Sequence, residues 1–239
     1  MRSEEMISPH HTHWESVQNT IDTCSICLHD PALVQITPPP IRPPNPIASG
    51  RLLLISEAPP ESGGFWKIKS QDKLRRNLLN LLVLPGLQPS NRKDGQESLQ
   101  IFLDANFFLL QAIKWPLKKK SFNKLSRGEQ RRLIGHSVEA HLQHEVALVS
   151  PSGILAMGNA AWRACRSLNG AEDTLPDAGV DAVRCRDYEI RLQQTQIPLN
   201  VTFLPVDQNM NRSKRRECIR EDFATFLSRH GWHNRKSVT

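Results

Sequence analysis

The chain is predicted to be an α/β protein, a three-layer α/β/α sandwich around a short, mostly parallel four-stranded sheet. Three observations lead there. The apolar run at residues 52–55 reads as a strand covered on both faces. Segments with apolar residues at helical spacing alternate with such runs, the pattern of strands joined by crossover helices. Residues 153–161, Gly-Ile-Leu-Ala-Met-Gly-Asn-Ala-Ala, read as a strand, a tight glycine turn and a new helix start.

Taken in order, residues 14–21 form a short helix running into Cys24-Ser25-Ile26-Cys27. Residues 37–46 hold six prolines and are expected to be an extended, polyproline-like connector wrapping the body. After the first core strand at 52–55, residues 72–82 have helical spacing and end before Pro85-Gly86. Residues 101–103 and 107–113 are expected to supply one strand, interrupted or bulged around Asp104 to Asn106. Residues 129–149 form a long amphipathic helix that stops at Ser150-Pro151. The glycine turn follows, then a short strand at 188–192, a last core strand at 200–205 and a closing helix at 216–227. The expected organisation is an N-terminal arm (1–47), loose and carrying the Cys-x-x-Cys and the proline-rich connector, one α/β domain (48–229), and a basic tail (230–239).

Bulk properties narrow the partner. The 239 residues, 27.1 kDa, are enough to bury a substantial core. No apolar run reaches the length of a membrane span, and the first residues lack the apolar core of a secretory signal, so a cytoplasmic location without membrane association is expected. Five cysteines in a reducing compartment argue against a disulfide framework. A net charge of +7 and a pI near 9.4 suit a polyanion. Basic residues gather at Lys114, Lys118, Lys119, Lys120, Lys124, Arg127, Arg131 and Arg132, and again at Arg212, Lys214, Arg215, Arg216 and Arg220. Both clusters follow strand-like runs, so parallel strands would bring them to one rim, where they could neutralise phosphates. The competing reading is a pair of solvated helix starts.

The chemistry-bearing segment is the loop after residues 52–55. Ligands of open α/β sheets bind outside the carboxyl ends of the strands, which puts Glu57 at the mouth of a site. Pro59 and Pro60 stiffen its surroundings, and Gly63 and Gly64 permit a tight turn before Phe65 and Trp66. A carboxylate and an aromatic platform are thus a few residues apart.

Ser56-Glu57-Ala58-Pro59-Pro60 resembles the Gly-Glu-Ala-Pro-Gly loop of the uracil-DNA glycosylase superfamily, and especially its iron–sulfur branch. Gln111-Ala112-Ile113-Lys114-Trp115-Pro116 is similar to that branch's Asn-Val-Val-Lys-Cys-Arg-Pro segment, and Pro151 to Ala161 to its strand and glycine turn. Leu204-Pro205, followed by Glu221-Asp222-Phe223, is similar to its final His-Pro loop and closing helix. The resemblance covers most of residues 24–228. It implies an enzyme that flips a nucleotide out of DNA and hydrolyses its N-glycosidic bond; a monomer partnered with DNA and needing no cofactor is expected. On that resemblance Glu57 polarises water or offsets charge on the sugar, and Asp207 is a second catalytic candidate. Phe65, or Trp66, stacks on the base, and Gln111, or Asn106, reads its edge. Gly158, Asn159, Met210, Arg212, Lys214, Arg215, Lys118 and Lys119 contact or wedge the DNA backbone.

The departures carry information too. Leu204 stands where the family has a histidine that donates to the base carbonyl, so Asp207 or Gln208 substitutes, the base differs, or the enzyme is slow. A glutamine in place of the family's asparagine lengthens the edge reader by one methylene. Together they point to a modified pyrimidine, such as those of some phage genomes, with excision as a defence; the alternatives are uracil excision in repair and an inactive DNA-binding relative. Of the branch's four cluster cysteines only Cys24 and Cys27 match, Trp115 and a position near Val138 replacing the others. Two cysteines do not hold a four-iron cluster, and no metal is expected. The alternatives for the pair are zinc shared with some of His10, His11, His13 and His29 and a reduced remnant. Cys165, Cys185 and Cys218 are expected to pack. A generic α/β hydrolase or nucleotide-binding protein is disfavoured by the lack of a Gly-x-Ser-x-Gly elbow, a phosphate-loop lysine signature or a dinucleotide fingerprint.

Overall fold

A computed structural model describes residues 9–46, 49–68, 72–82 and 95–231. The expected helix stop at Pro85-Gly86, the first eight residues and nearly all of the basic tail lie outside them. In chain order the elements are α1 (Pro9–Asp22), α2 (Ser25–His29), β1 (Leu52–Ser56), α3 (Lys73–Leu82), α4 (Gly95–Asp104), β2 (Phe107–Gln111), α5 (Arg127–Ser137), a π-helical turn (Val138–Leu142) and α6 (Gln143–Val149). Then come β3 (Gly153–Met157), α7 (Asn159–Ser167), α8 (Val180–Val183), β4 (Tyr188–Leu192), β5 (Thr195–Thr202), α9 (Asp207–Met210) and α10 (Ser213–Arg229).

The sheet is mixed and has five strands, ordered β2-β1-β3-β5-β4, rather than the four expected. Neighbours among β2, β1, β3 and β5 pair in parallel, and β4 adds an antiparallel edge on β5. Every residue of β1, β2 and β3 is buried. Successive side chains of a strand point to opposite faces, so unbroken burial means cover on both. The chain leaves β1 for β2 on one side and later returns to β3 on the other. Such a reversal opens a crevice at the carboxyl ends of the strands.

Residues 101–103, expected as half of an interrupted strand, are the last turn of α4. Ser98, Leu99 and Phe102 give that helix its buried face, and Asn106, at φ 63°, turns the chain into β2. The helix expected at 129–149 starts two residues early because Ser126 and Glu129 form a reciprocal capping box. The arm, expected to be loose, is fastened over residues 14–46. Trp14, Ile21 and Leu33 are buried in the core, Leu33 bridges Leu117, and Arg42 pairs with Asp22. Burying Ile21 and Leu33 contributes about 1.5–3 kcal/mol each. No helix among the described residues is long and apolar enough to cross a membrane.

Candidate functional site

β1 and β2 end side by side, with Ser56 in register with Gln111. The pairing runs on past the strands: the Ala112 N–H donates to Ser56 O at 2.8 Å and the Ile113 N–H to Glu57 O at 2.9 Å. Glu57 and Gln111 are therefore held on adjoining backbones, not on a free loop. Both line a cavity of about 840 Å³ at the carboxyl end of the sheet, together with Phe65, Leu117, Leu204 and Val206.

Glu57 is the only one of the two carboxylate candidates in that lining. Its Oε1 accepts the Phe122 N–H at 2.7 Å, and among the described residues it forms no ion pair. Burial raises its pKa above the usual glutamate range, with the Phe122 N–H pulling the other way. Phe122 is fixed in turn by Gln130 of α5, whose Nε2 donates to the Phe122 and Leu125 carbonyls at 3.0 Å each. The capping box of α5 is the only sequence signal for this support. Asp72 also lines the cavity, but its carboxylate caps α3 by accepting the Arg75 N–H at 2.7 Å.

Phe65 and Trp66 part company. Both are core residues, 1 % and 5 % exposed, but only Phe65 has atoms in the cavity lining, its ring packing edge-on against Trp66 and Phe102, each at 5.0 Å. Trp66 turns into the core, where its indole N–H donates to Leu109 O at 3.2 Å. The turn before them needs both glycines: Gly63 and Gly64 have φ of 105° and 73°, and a Cβ on Gly64 would lie 2.8 Å from the Pro60 ring. Gln111 is 7 % exposed, and its amide has no hydrogen-bond partner among the described residues yet is not among the sealed unpaired polar atoms, so it opens on the cavity. A carboxamide placed so has both a donor and an acceptor to give a ligand.

Asn106 does not join this group. It sits before β2, at the far end from Gln111, and donates to Gly50 O. Asp207 opens α9 beyond β5, clamped by Lys73 at 2.8 Å and Arg76 at 3.0 Å, and these partners with Asn77 hold its pKa below the usual range. Leu204 lines the cavity where the resemblance places a histidine. Gly158, at φ 89°, packs a hypothetical Cβ 3.2 Å from Leu204, while the Asn159 amide is engaged by Asn123 and the Val180 N–H.

The basic clusters follow β2 and β5, parallel strands that end on one rim. Lys118, Lys119, Lys120, Arg212 and Lys214 are exposed, Lys119 pairing with Glu129, and Lys67, Lys73 and Lys120 line the cavity. Met210 is half-buried, and Arg215 lies over the Phe203 ring at 4.9 Å while donating to Asn209. Lys114 leaves the cluster altogether. It is buried against Glu145, its Nζ also donating to Gln111 O at 2.6 Å, so it supports the edge-reader's backbone from below.

A second constellation lies on the arm. Cys24 and Cys27 meet His136 and His141, with Cys24 Sγ 3.2 Å from His136 Nε2 and Cys27 Sγ 3.7 Å from His141 Nε2. His13 and His29, two of the histidines in the alternative zinc reading, are exposed and outside this group, and the side chains of His10 and His11 lie outside the described ones. Of the other cysteines Cys165 is buried, its thiol pushed up to about 12 by burial, and Cys185, expected to pack, is exposed. Comparison with protein-family models and with curated proteins gave no match.

Proposed function

We propose that this protein is a DNA glycosylase that draws a flipped, modified pyrimidine nucleotide into the cavity and hydrolyses its N-glycosidic bond. One observation carries the reading: a half-buried carboxylate, a carboxamide that no described residue pairs with and a phenylalanine line one cavity at the carboxyl end of the sheet. Breaking the bond leaves positive charge on the sugar, and an ionised Glu57 either offsets that charge or takes a proton from the attacking water. Its raised pKa makes it a better base than a free glutamate. Phe65, buried but in the cavity lining, is the apolar wall against which the base would rest, and the Gln111 amide offers donor and acceptor to its edge. Exposed lysines and arginines on the same rim supply the phosphate contacts.

The preference for a modified base rests on two features. The cavity, about 840 Å³, exceeds what an unmodified pyrimidine ring fills. Leu204 places an apolar side chain where stabilisation of an anionic uracil would need a donor. Excision of such bases would act against DNA that carries them, in the cytoplasm and as a monomer.

The test is to incubate the protein and its Glu57→Gln variant with uracil-containing oligonucleotides and, separately, with phage DNA bearing modified cytosines, then to measure released base and alkali-labile sites. Glu57-dependent abasic sites in the modified DNA are the expected result. Family-like excision of uracil alone would assign the protein to repair, and binding without any abasic product would make it a reader of DNA.

A further inference from the structure

The four donor atoms of Cys24, Cys27, His136 and His141 all lie within 4.8 Å of one another. With Zn–S bonds of about 2.3 Å and Zn–N bonds of about 2.0–2.1 Å, a tetrahedral site has S···N edges of roughly 3.5 Å. The two measured S···N separations, 3.2 and 3.7 Å, bracket that value. The cluster is thus dimensioned for a single ion.

The backbone is shaped to make it so. His136 and His141 are five residues apart, which in a regular α-helix of 3.6 residues per turn puts them about 140° apart around the axis. Between them the helix changes to a π turn over Val138–Leu142, closed by the Gln143 N–H on Val138 O. Widening the turn brings residues five apart onto one side, and the two rings sit 5.5 Å apart. Single π turns inside α-helices are uncommon and concentrate at functional sites. On the other strand of the chain, Cys24 and Cys27 bracket the first turn of α2, and the Cys27 N–H points at Cys24 Sγ at 3.5 Å.

We propose that Cys24, Cys27, His136 and His141 bind one Zn²⁺ ion in a tetrahedral site that ties the N-terminal arm to the helix running through α5 and α6. Two thiolates balance the ion's charge, and two neutral imidazoles complete the set. The donor atoms do not fit the four-iron cluster of the iron–sulfur glycosylases: two of the four are nitrogens, and a cubane would hold its ligands farther apart. A two-iron cluster with two Cys and two His divides the thiolates and imidazoles between different irons, which the short S···N contacts exclude. The ion joins residues more than a hundred positions apart, 24 to 136 and 27 to 141, so its binding energy becomes folding energy of the arm. The inference is independent of the glycosylase reading.

The measurement is metal content of the full-length protein by elemental analysis, with uptake of Co²⁺ followed by visible absorption. One zinc per chain is expected, and after exchange the strong visible bands of tetrahedral cobalt together with thiolate-to-cobalt charge transfer. Cys27→Ser and His141→Ala should lose the metal and the bands, His136→Cys should keep both, and Cys185→Ser should change neither. Should the ligand variants fail to fold, the wild-type stoichiometry and spectrum still decide. Iron with acid-labile sulfide, or protein that neither contains nor takes up zinc or cobalt, would overturn the proposal.

Discussion

Two glutamates of this molecule, Glu145 buried and Glu57 half-buried, are treated in opposite ways. Glu145 faces Lys114 in an ion pair with both side chains almost fully buried, and Gln18 donates a further hydrogen bond at 3.0 Å. Glu57 has a backbone N–H and a cavity. A buried charge that is fully partnered contributes to architecture, because removing its partner leaves it stranded. A half-buried carboxylate left open on one side is poorly solvated by the protein and available to something else.

The largest expected effect follows at Glu57. Glu57→Gln should lower base excision by about 10²- to 10⁴-fold, the range for a positioned acid–base group, as measured by abasic-site formation under single-turnover conditions. Stability should not fall with it. Burial raises the folded-state pKa of Glu57, so the folded protein favours the protonated form, and that contribution is lost as pH rises through the folded pKa. At neutral pH the ionised group weakens the fold, and the variant's Tm should be equal or higher. The same shift moves the acid limb of the wild-type rate profile above the ~4.3 of a free glutamate. An acid limb at or below that value would remove Glu57 from the chemistry.

Glu145 should invert the pattern. Lys114→Met strands a buried carboxylate and should destabilise the protein by about 3–5 kcal/mol, read as a lower urea midpoint. Replacing Lys114 and Glu145 together with Met should recover most of that loss. A double variant no more stable than the single one would show that Lys114 matters through the Gln111 carbonyl instead.

A smaller and more selective change is expected at Gln111. Gln111→Leu keeps the side chain's bulk and removes its donor and acceptor. Excision of the preferred base should drop by about 10- to 100-fold in kcat/KM, equivalent to roughly 1–3 kcal/mol. Competition between DNA carrying different modified bases would show whether selectivity falls with rate; an equal loss for every base would make Gln111 a packing residue.

How much of this the sequence disclosed depends on whether the decisive property is local. Residues 52–55 and 153–161 carry their own signals, an unbroken apolar run and a glycine turn, and both appear where expected. Ile101, Phe102 and Leu103 do not, since three apolar residues in a row fit a strand or a buried helix face equally well. Lys114 reads as one more cation in a basic run, and only its distant partner Glu145 shows it to be buried. Phe65 and Trp66 are indistinguishable in sequence; both fold into the core, and only Phe65 contributes to the cavity lining. His136 and His141 lie on one side only because the helix widens between them.

Asp207 supplies the sharpest control for the comparison, since it is the other carboxylate that the resemblance offers as catalytic. Its ion pairs with Lys73 and Arg76 are largely solvent-exposed, with the lysine and arginine side chains 67 % and 59 % accessible. Solvent screens such pairs, and each contributes at most about 1 kcal/mol. These partners depress the folded-state pKa, so the contribution is present at neutral pH and lost as pH falls through that pKa. Asp207→Asn should therefore shift the urea midpoint only slightly at pH 7, and not at all under acid conditions where Asp207 is protonated. Excision should stay within a few-fold of wild type, because the carboxylate is occupied by cations and does not line the cavity. A loss of excision as large as that of Glu57→Gln would mean that Asp207 leaves Lys73 and Arg76 when DNA binds, and that openness to the cavity in the free protein does not identify the working carboxylate.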